Sequence, residues 1–222
     1  NNWSLTTDTG KNLFSPGKTP SQNARFLVFL AAFIKGVDEY QDFLRCTVAS
    51  AGNDHRLGAH EAPPAIVSIF LGDELTAVVE SIINGTNYHD PEKSVMRIGV
   101  DVLPAIPKDT TDRNRTSPLA FTGNKFEFRM LGSSASISDT NVALNTAAAE
   151  ILRQFADELE NAKDFDKAVH EIIGRTFKNH KRIIFNGNNY TDEWVEEAKR
   201  RGLCNFRNAV DALEHYPDKK NI

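Results

Sequence analysis

The stretch Ala24 to Ile34 reads Ala-Arg-Phe-Leu-Val-Phe-Leu-Ala-Ala-Phe-Ile, with Arg25 its only charge. A helix that is apolar on nearly every side must be covered on nearly every side. This segment is therefore expected at the centre of the fold. Ser21 is expected to cap it, and Val37, Tyr40, Phe43, Leu44 and Val48 continue the helical spacing until Ala51-Gly52-Asn53 ends it. The apolar run from Phe26 to Ile34 falls far short of the roughly 20 residues that span a bilayer.

Around this helix the chain alternates between element types. Thr6 to Pro20 carries Gly10, Pro16, Gly17 and Pro20 and reads as loop or short hairpin. Ala65 to Leu71 is a short apolar run, helix or strand. Asp73 to Ile83 reads as a helix stopped at Asn84-Gly85, Val95 to Leu103 as a strand, and Pro104 to Arg113 as irregular chain. Lys125 to Leu131 alternates strictly, with Phe126, Phe128 and Met130 on one face and Lys125, Glu127 and Arg129 on the other, which predicts a strand. A long helix is expected from Asp139 or Thr140, with Leu144, Ala148, Ile151, Leu152, Phe155 and Leu159 on one stripe. Shorter helices follow near Phe165 to Lys178, Asp192 to Arg201 and Asn208 to His215. The fold class read from this pattern is mixed α/β (α+β) up to about Asn161, then nearly all helical, giving units 1–160 and 161–222.

Composition excludes little but is consistent with that reading. The 222 residues are 40% hydrophobic and 25% charged, with a formal net charge of −4, so nothing favours a nucleic-acid or membrane partner. Cys46 and Cys204 form no disulfide framework or metal-type spacing, which suits a reducing, cytoplasmic compartment. No signal peptide is visible. The opening Asn1-Asn2-Trp3 reads as the interior of a longer chain.

Four segments carry residues suited to chemistry. On Lys125 to Arg129, Glu127 could hold a hard cation and its cationic neighbours a phosphate; a solvated sheet face with cross-strand ion pairs has the same pattern. Arg113 and Arg115, in the irregular run before Pro118, suit fork-like binding of phosphate or carboxylate, or surface salt bridges. Asn53 to Pro64 gathers Asp54, His55, Arg56, His60 and Glu61 in a Gly/Pro-punctuated loop that fits no common zinc spacing. Trp3 and Ser4 could stack on a base and bond a nucleotide, although a Trp is more often core. No phosphate-loop or dinucleotide glycine fingerprint occurs.

In this order the four segments resemble consecutive motifs of glutamine synthetases. Trp3-Ser4-Leu5 through Gly10-Lys11-Asn12-Leu13-Phe14 is similar to the family segment ending Gly-Lys-Asn-Leu-Phe. Arg56-Leu57 through Glu61-Ala62-Pro63 resembles Lys-Arg-Leu-Val-Pro-Gly-Tyr-Glu-Ala-Pro. Asn114-Arg115-Thr116-Ser117 resembles Asn-Arg-Ser-Ala. Lys125 to Arg129, with Ser133 and Asn141 beyond, resembles Arg-Ile-Glu-Val-Arg-Ser-Pro-Asp and the Asn that follows. The wording from Asn114 to Arg129 resembles the long-chain type III branch most.

The resemblance implies part of a catalytic domain with an antiparallel sheet and packed helices, and ATP-dependent ligation of ammonia to glutamate through a γ-glutamyl phosphate. It implies Glu127 as a Mg²⁺ (or Mn²⁺) ligand, Arg56 and Arg129 on glutamate, and Arg115 on the transferring phosphate. Lys125, Ser4 and Trp3 would contact ATP, and Glu61 would close on a mobile flap and take a proton from ammonium. Ring-shaped, dodecameric homo-oligomers are the expected assembly. Residues 69–112 read as a type-specific insertion. Three features depart from the pattern: Arg56 and Glu61 are one residue closer, Ala120 stands where a second Arg is usual, and Asn2 replaces a His. The metal-binding segments that precede this region in the family lie outside the sequence, so this chain is expected not to catalyse alone. The alternative is a non-catalytic binding or assembly module that keeps a half-site.

Overall fold

A computed structural model describes residues 1–59, 62–86, 88, 95–96, 106–107 and 115–221. It is a mixed α/β fold built on a small sheet. Helix α1 (Ala24–Glu39) lies where the sequence puts it, with Leu30, Ala31 and Ile34 fully enclosed. Its cap differs from expectation. Ser21 falls in a short 3₁₀ turn, and Asn23 accepts from the Phe26 amide at 3.1 Å. The nearer Asn can both cap the helix and donate back to the Pro16 carbonyl.

The helical spacing out to Val48 belongs to two helices. Tyr40, at φ −111°, separates α1 from α2 (Gln41–Cys46). The Asp38 carbonyl is taken there by the Gln41 side chain at 2.9 Å, while the buried Asp38 carboxylate accepts from His180 and Arg182 at 2.8 Å each. A third helix, α3 (Ala51–Arg56), occupies the start of what the sequence presents as loop. Ser50 caps it by accepting from the Asn53 amide. It is short, holds Gly52 and has no apolar stripe, so periodicity could not signal it.

Four strands form the main sheet: β1 (Asn2–Trp3), β2 (Ile69–Phe70), β5 (Leu119–Phe121) and β6 (Phe126–Phe128), in the order β1-β6-β5-β2. The pairs β1–β6 and β5–β6 are antiparallel, but β2–β5 is parallel, so the sheet expected to be antiparallel is mixed. A long connection between β2 and β5, including helix α4 (Asp73–Asn84), makes the parallel pairing possible. Helix α4 ends at Gly85, whose φ of +64° is the left-handed cap that Asn84-Gly85 announced. Strands β3 (Val95–Met96) and β4 (Ile106–Pro107) pair separately. Pro107 therefore extends regular structure into a stretch expected to be irregular, while the rest of the strand expected to Leu103 lies outside the described residues.

The sheet's inner face meets α1 through aromatic rings. Phe126 stacks on Phe33 with centroids 3.8 Å apart, and Phe14 meets Phe126 edge-on at 5.2 Å. Helices α5 (Ser138–Glu160) and α6 (Phe165–His180), separated near Asn161, both pack on α1. Gly36 faces α5, where a Cβ would meet Ala147 at 3.6 Å, an ordinary packing contact. Phe185 donates its amide to the Ile69 carbonyl at 2.9 Å, carrying the C-terminal segment onto the β2 edge. Helices α7 (Asp192–Arg200) and α8 (Ala209–Leu213) complete the chain, with Trp194 stacked on Phe185 at 3.7 Å. Among the described residues no helix is long and apolar enough to cross a membrane.

Candidate active site on the polar face of the sheet

The alternation in β6 sorts its side chains as expected. Phe126, Phe128 and Met130 are fully buried, while Lys125, Glu127 and Arg129 are partly exposed on the other face. Regular strand is limited to Phe126–Phe128, shorter than the alternation. Arg129 turns back along the strand, and its Nη2 and Nε donate to Glu127 Oε2 at 2.7 and 3.2 Å.

Arg129 is also where three segments meet. Its amide donates to the Pro118 carbonyl at 2.8 Å and its Nη1 to the Ser117 carbonyl at 3.4 Å. Arg115, two residues before the buried Ser117, is thereby brought to the same end of the sheet, and its own side chain is exposed. From α3, Arg56 donates to the main-chain oxygens of Arg129 and Met130 at 2.8 and 3.0 Å. Asn53 is buried between them, donating to the Val48 and Met130 carbonyls at 2.8 and 2.9 Å. A side chain at Gly132 would crowd it, because a Cβ there would stand 3.2 Å from Asn53 Oδ1.

The opposite end of β6 gathers a second group. Ser4 Oγ donates to the Asn124 carbonyl at 2.9 Å, and Asn12 Nδ2 donates to both Ser4 Oγ and Asn124 O at 3.0 Å. Lys125 follows in the same turn, which Gly123 closes at φ +95°. Trp3 departs from the nucleotide-facing role. Its ring is buried, stacked on Phe33 at 5.1 Å, and its Nε1 donates to Asn145 at 2.9 Å. Its place one residue before Ser4 in an extended strand points it to the opposite face.

His60 and Glu61 lie outside the described residues, as do Arg113 and Asn114. The loop carrying Glu61 is pinched at its base, where Gly58, at φ +78°, donates its amide to the Pro63 carbonyl at 2.9 Å. A cleft of about 380 Å³ lies against this base, bounded by Asp54, Gly58, Pro64, Asn189, Tyr190 and Arg207.

Glu127 is the carboxylate on β6, and its Oε2 is engaged by Arg129. Among the described residues it is part of no cluster of three metal-ligating side chains; Asp42, His215 and Asp218 form such a cluster elsewhere. One oxygen donor fits a Mg²⁺ ion that takes its other ligands from phosphate and from further groups.

A larger groove of about 510 Å³ at the ends of α6 and α7 is rich in cations. Several are neutralised locally: Lys181 pairs with Glu80, and Arg200 and Arg201 with Glu197. Hydrogen bonds from Arg200 and then Arg201 hold the Glu197 carboxyl at about 2, below its ordinary range.

Asn12, Asn53 and Asn189 organise these loops without having been singled out as site residues from sequence. Asn12 lies within the Gly-Lys-Asn-Leu-Phe match and Asn53 within the Asn53 to Pro64 stretch, but an amide side chain that braces backbone leaves no spacing signal.

Residues 168–222 match the family model described as the glutamine synthetase C-terminal domain. By sequence the rest of the chain is also similar to glutamine synthetases. Over its whole length the chain is 51% identical to the type-3 glutamine synthetase of Dictyostelium discoideum, 47% identical to a glutamine synthetase of Bacteroides fragilis and 46% identical to one of Butyrivibrio fibrisolvens. The chain spans only 31%, 31% and 32% of those proteins, respectively.

Proposed function

We propose that this chain supplies one wall of the active site of an ATP-dependent ligase that joins ammonia to L-glutamate. The observation that carries the reading is the meeting of Arg56, Arg129 and the Arg115 segment at one end of β6, in a chain similar to glutamine synthetases from end to end. Lys125 and Arg129 are four residues apart, about 13 Å along a strand, enough to span a nucleotide phosphate chain at one end and glutamate at the other.

A glutamate carboxylate is a poor electrophile. In the proposed reaction its γ-carboxylate oxygen attacks the terminal phosphorus of ATP, and ADP leaves. Ammonia then adds to the γ-carbonyl carbon of the acyl phosphate and phosphate departs. Arg115 offsets charge on the phosphoryl group in transfer, while Arg56 and Arg129 hold the glutamate. Lys125 and Ser4 hold the nucleotide. Trp3 acts from beneath, as core. Glu127 would hold Mg²⁺ (or Mn²⁺), which when bound would supply positive charge to offset that of the phosphates. Glu61 takes a proton from ammonium, and its loop keeps water from the acyl phosphate.

The remaining expectations belong to the same reading: a ring-shaped homo-oligomer that completes the site, working in the cytoplasm, where the free Cys46 and Cys204 would stay reduced.

The test is glutamine formation from glutamate, ammonia and Mg-ATP by the full-length protein, with hydroxylamine as a trap for the acyl phosphate. Glutamyl hydroxamate is expected with the wild type. Glu61→Ala is expected to bind ATP normally and make far less glutamine. A full-length protein that binds these substrates and forms neither product would support the non-catalytic half-site instead.

A further inference from the structure

The segment that carries Arg115 is held by a residue 73 positions further along the chain. Asn189 is buried, with 1% of its surface exposed. Its main-chain amide and its Nδ2 both donate to the Thr116 hydroxyl, at 2.9 and 3.3 Å. Its Oδ1 accepts from the Ser68 hydroxyl at 2.9 Å, and Ser68 is itself enclosed just before β2. The Ser68 carbonyl in turn accepts from the Leu119 amide at 3.2 Å. One amide side chain thus ties the β2 edge, the run into β5 and the stretch before α7. Thr116 is the residue next to Arg115, so this is the nearest described anchor for the direction in which that guanidinium leaves the chain.

From this geometry we infer that Asn189 is a positioning residue for Arg115, acting through Thr116. The inference rests on the function proposed above. A buried amide surrounded by fixed partners resists rotation, because turning it would strand polar groups away from water. An arginine that offsets charge only as a phosphoryl group transfers must be held before that moment, and a displacement of about 1 Å can cost on the order of a hundredfold in rate. Loss of the tie should therefore lower kcat more than it raises KM.

The cleanest probe is Thr116→Val in the full-length protein, which keeps side-chain shape and removes the acceptor, with Thr116→Ser restoring it. Thr116→Val is expected to lower kcat for glutamine formation by roughly ten- to a hundredfold. Its KM for ammonia should not rise and should fall along with kcat, since ammonia binds after the phosphoryl step that Arg115 serves. Thr116→Ser should recover most of the rate. Asn189→Ala should reproduce the Thr116→Val loss, and the double variant should be no worse than either alone. If Asn189→Ala fails to fold, the Val and Ser pair still decides the matter. A Thr116→Val enzyme with normal kcat, or a loss that Ser does not rescue, overturns the inference while leaving the function intact. A full-length wild type that makes no glutamine removes the function and this inference with it.

Discussion

Arg56 Nη2 donates to the main-chain oxygen of Arg129 at 2.8 Å, so the two arginines expected to share a substrate are joined through backbone rather than through side chains. Arg56 also donates from Nη1 to Met130 O and Asn53 Oδ1, at 3.0 and 3.2 Å. A guanidinium carries five N–H donors. Two hold α3 to the end of β6 and a third goes to Asn53 within α3, so that among the described residues two remain for an anion.

Arg56→Lys should therefore be a poor replacement although it keeps the charge. A lysine ammonium is a point donor and cannot reach two adjacent carbonyls in a fixed fork. Leaving partly buried carbonyls unsatisfied costs about 1–3 kcal/mol. Chemical denaturation should show a loss in that range for Arg56→Lys, together with a raised KM for glutamate. A fully stable Lys variant would mean that these carbonyls find other partners.

Asp54 plays the matching part on the other side of α3. Its Oδ1 accepts from Arg45 Nη2 at 2.8 Å, and its Oδ2 from the Ala209 amide at 2.7 Å. Arg45 is 1% exposed, its Nε is bound to the Phe206 carbonyl, and its Nη1 has no hydrogen-bond partner among the described residues. Asp54→Ala would leave a buried cation without its counter-charge, which costs about 3–5 kcal/mol. Pairing it with Arg45→Met should recover much of that loss, because an apolar side chain needs no partner there. A double variant no more stable than Asp54→Ala would show that the charge is not what Asp54 serves.

The parts of this architecture visible in the sequence are those set by repeating patterns. The apolar surface of Ala24 to Ile34 foretold a central helix, and the alternation of Phe126, Phe128 and Met130 foretold which face of β6 is polar. The order of motifs likewise brought forward the arginines and Glu127 as candidates. The sequence could not reveal what depends on distant partners. The break at Tyr40 goes with the ties of Asp38 to His180 and Arg182. The turn of α3 owes its hold to Asn53 and Arg56 reaching Met130. The inward direction of Trp3 follows from strand register against Phe126, which no local spacing encodes.

Cys46 gives a pH-dependent prediction. It lies buried in α2, and its Sγ donates to the Ala212 carbonyl at 2.8 Å. Burial, then the nearby Asp42 carboxylate, push the thiol above its ordinary range. Because the folded value is raised, the unfolded chain ionises first as pH increases. The stability contributed by keeping this thiol neutral is complete below the ordinary thiol pKa, about 8.5, and is lost as pH rises through the folded value. Reactivity follows the same sign, since the thiolate is the attacking species. At pH 7.5 a thiol-exchange reagent should modify Cys46 in the folded protein far more slowly than a free cysteine, and at the full rate once denaturant is added. Cys204, also raised chiefly by burial but less enclosed, should react first. A Cys204→Ser variant isolates Cys46 for the measurement. Rapid modification of the folded variant at pH 7.5 would show that α8 opens readily away from α2.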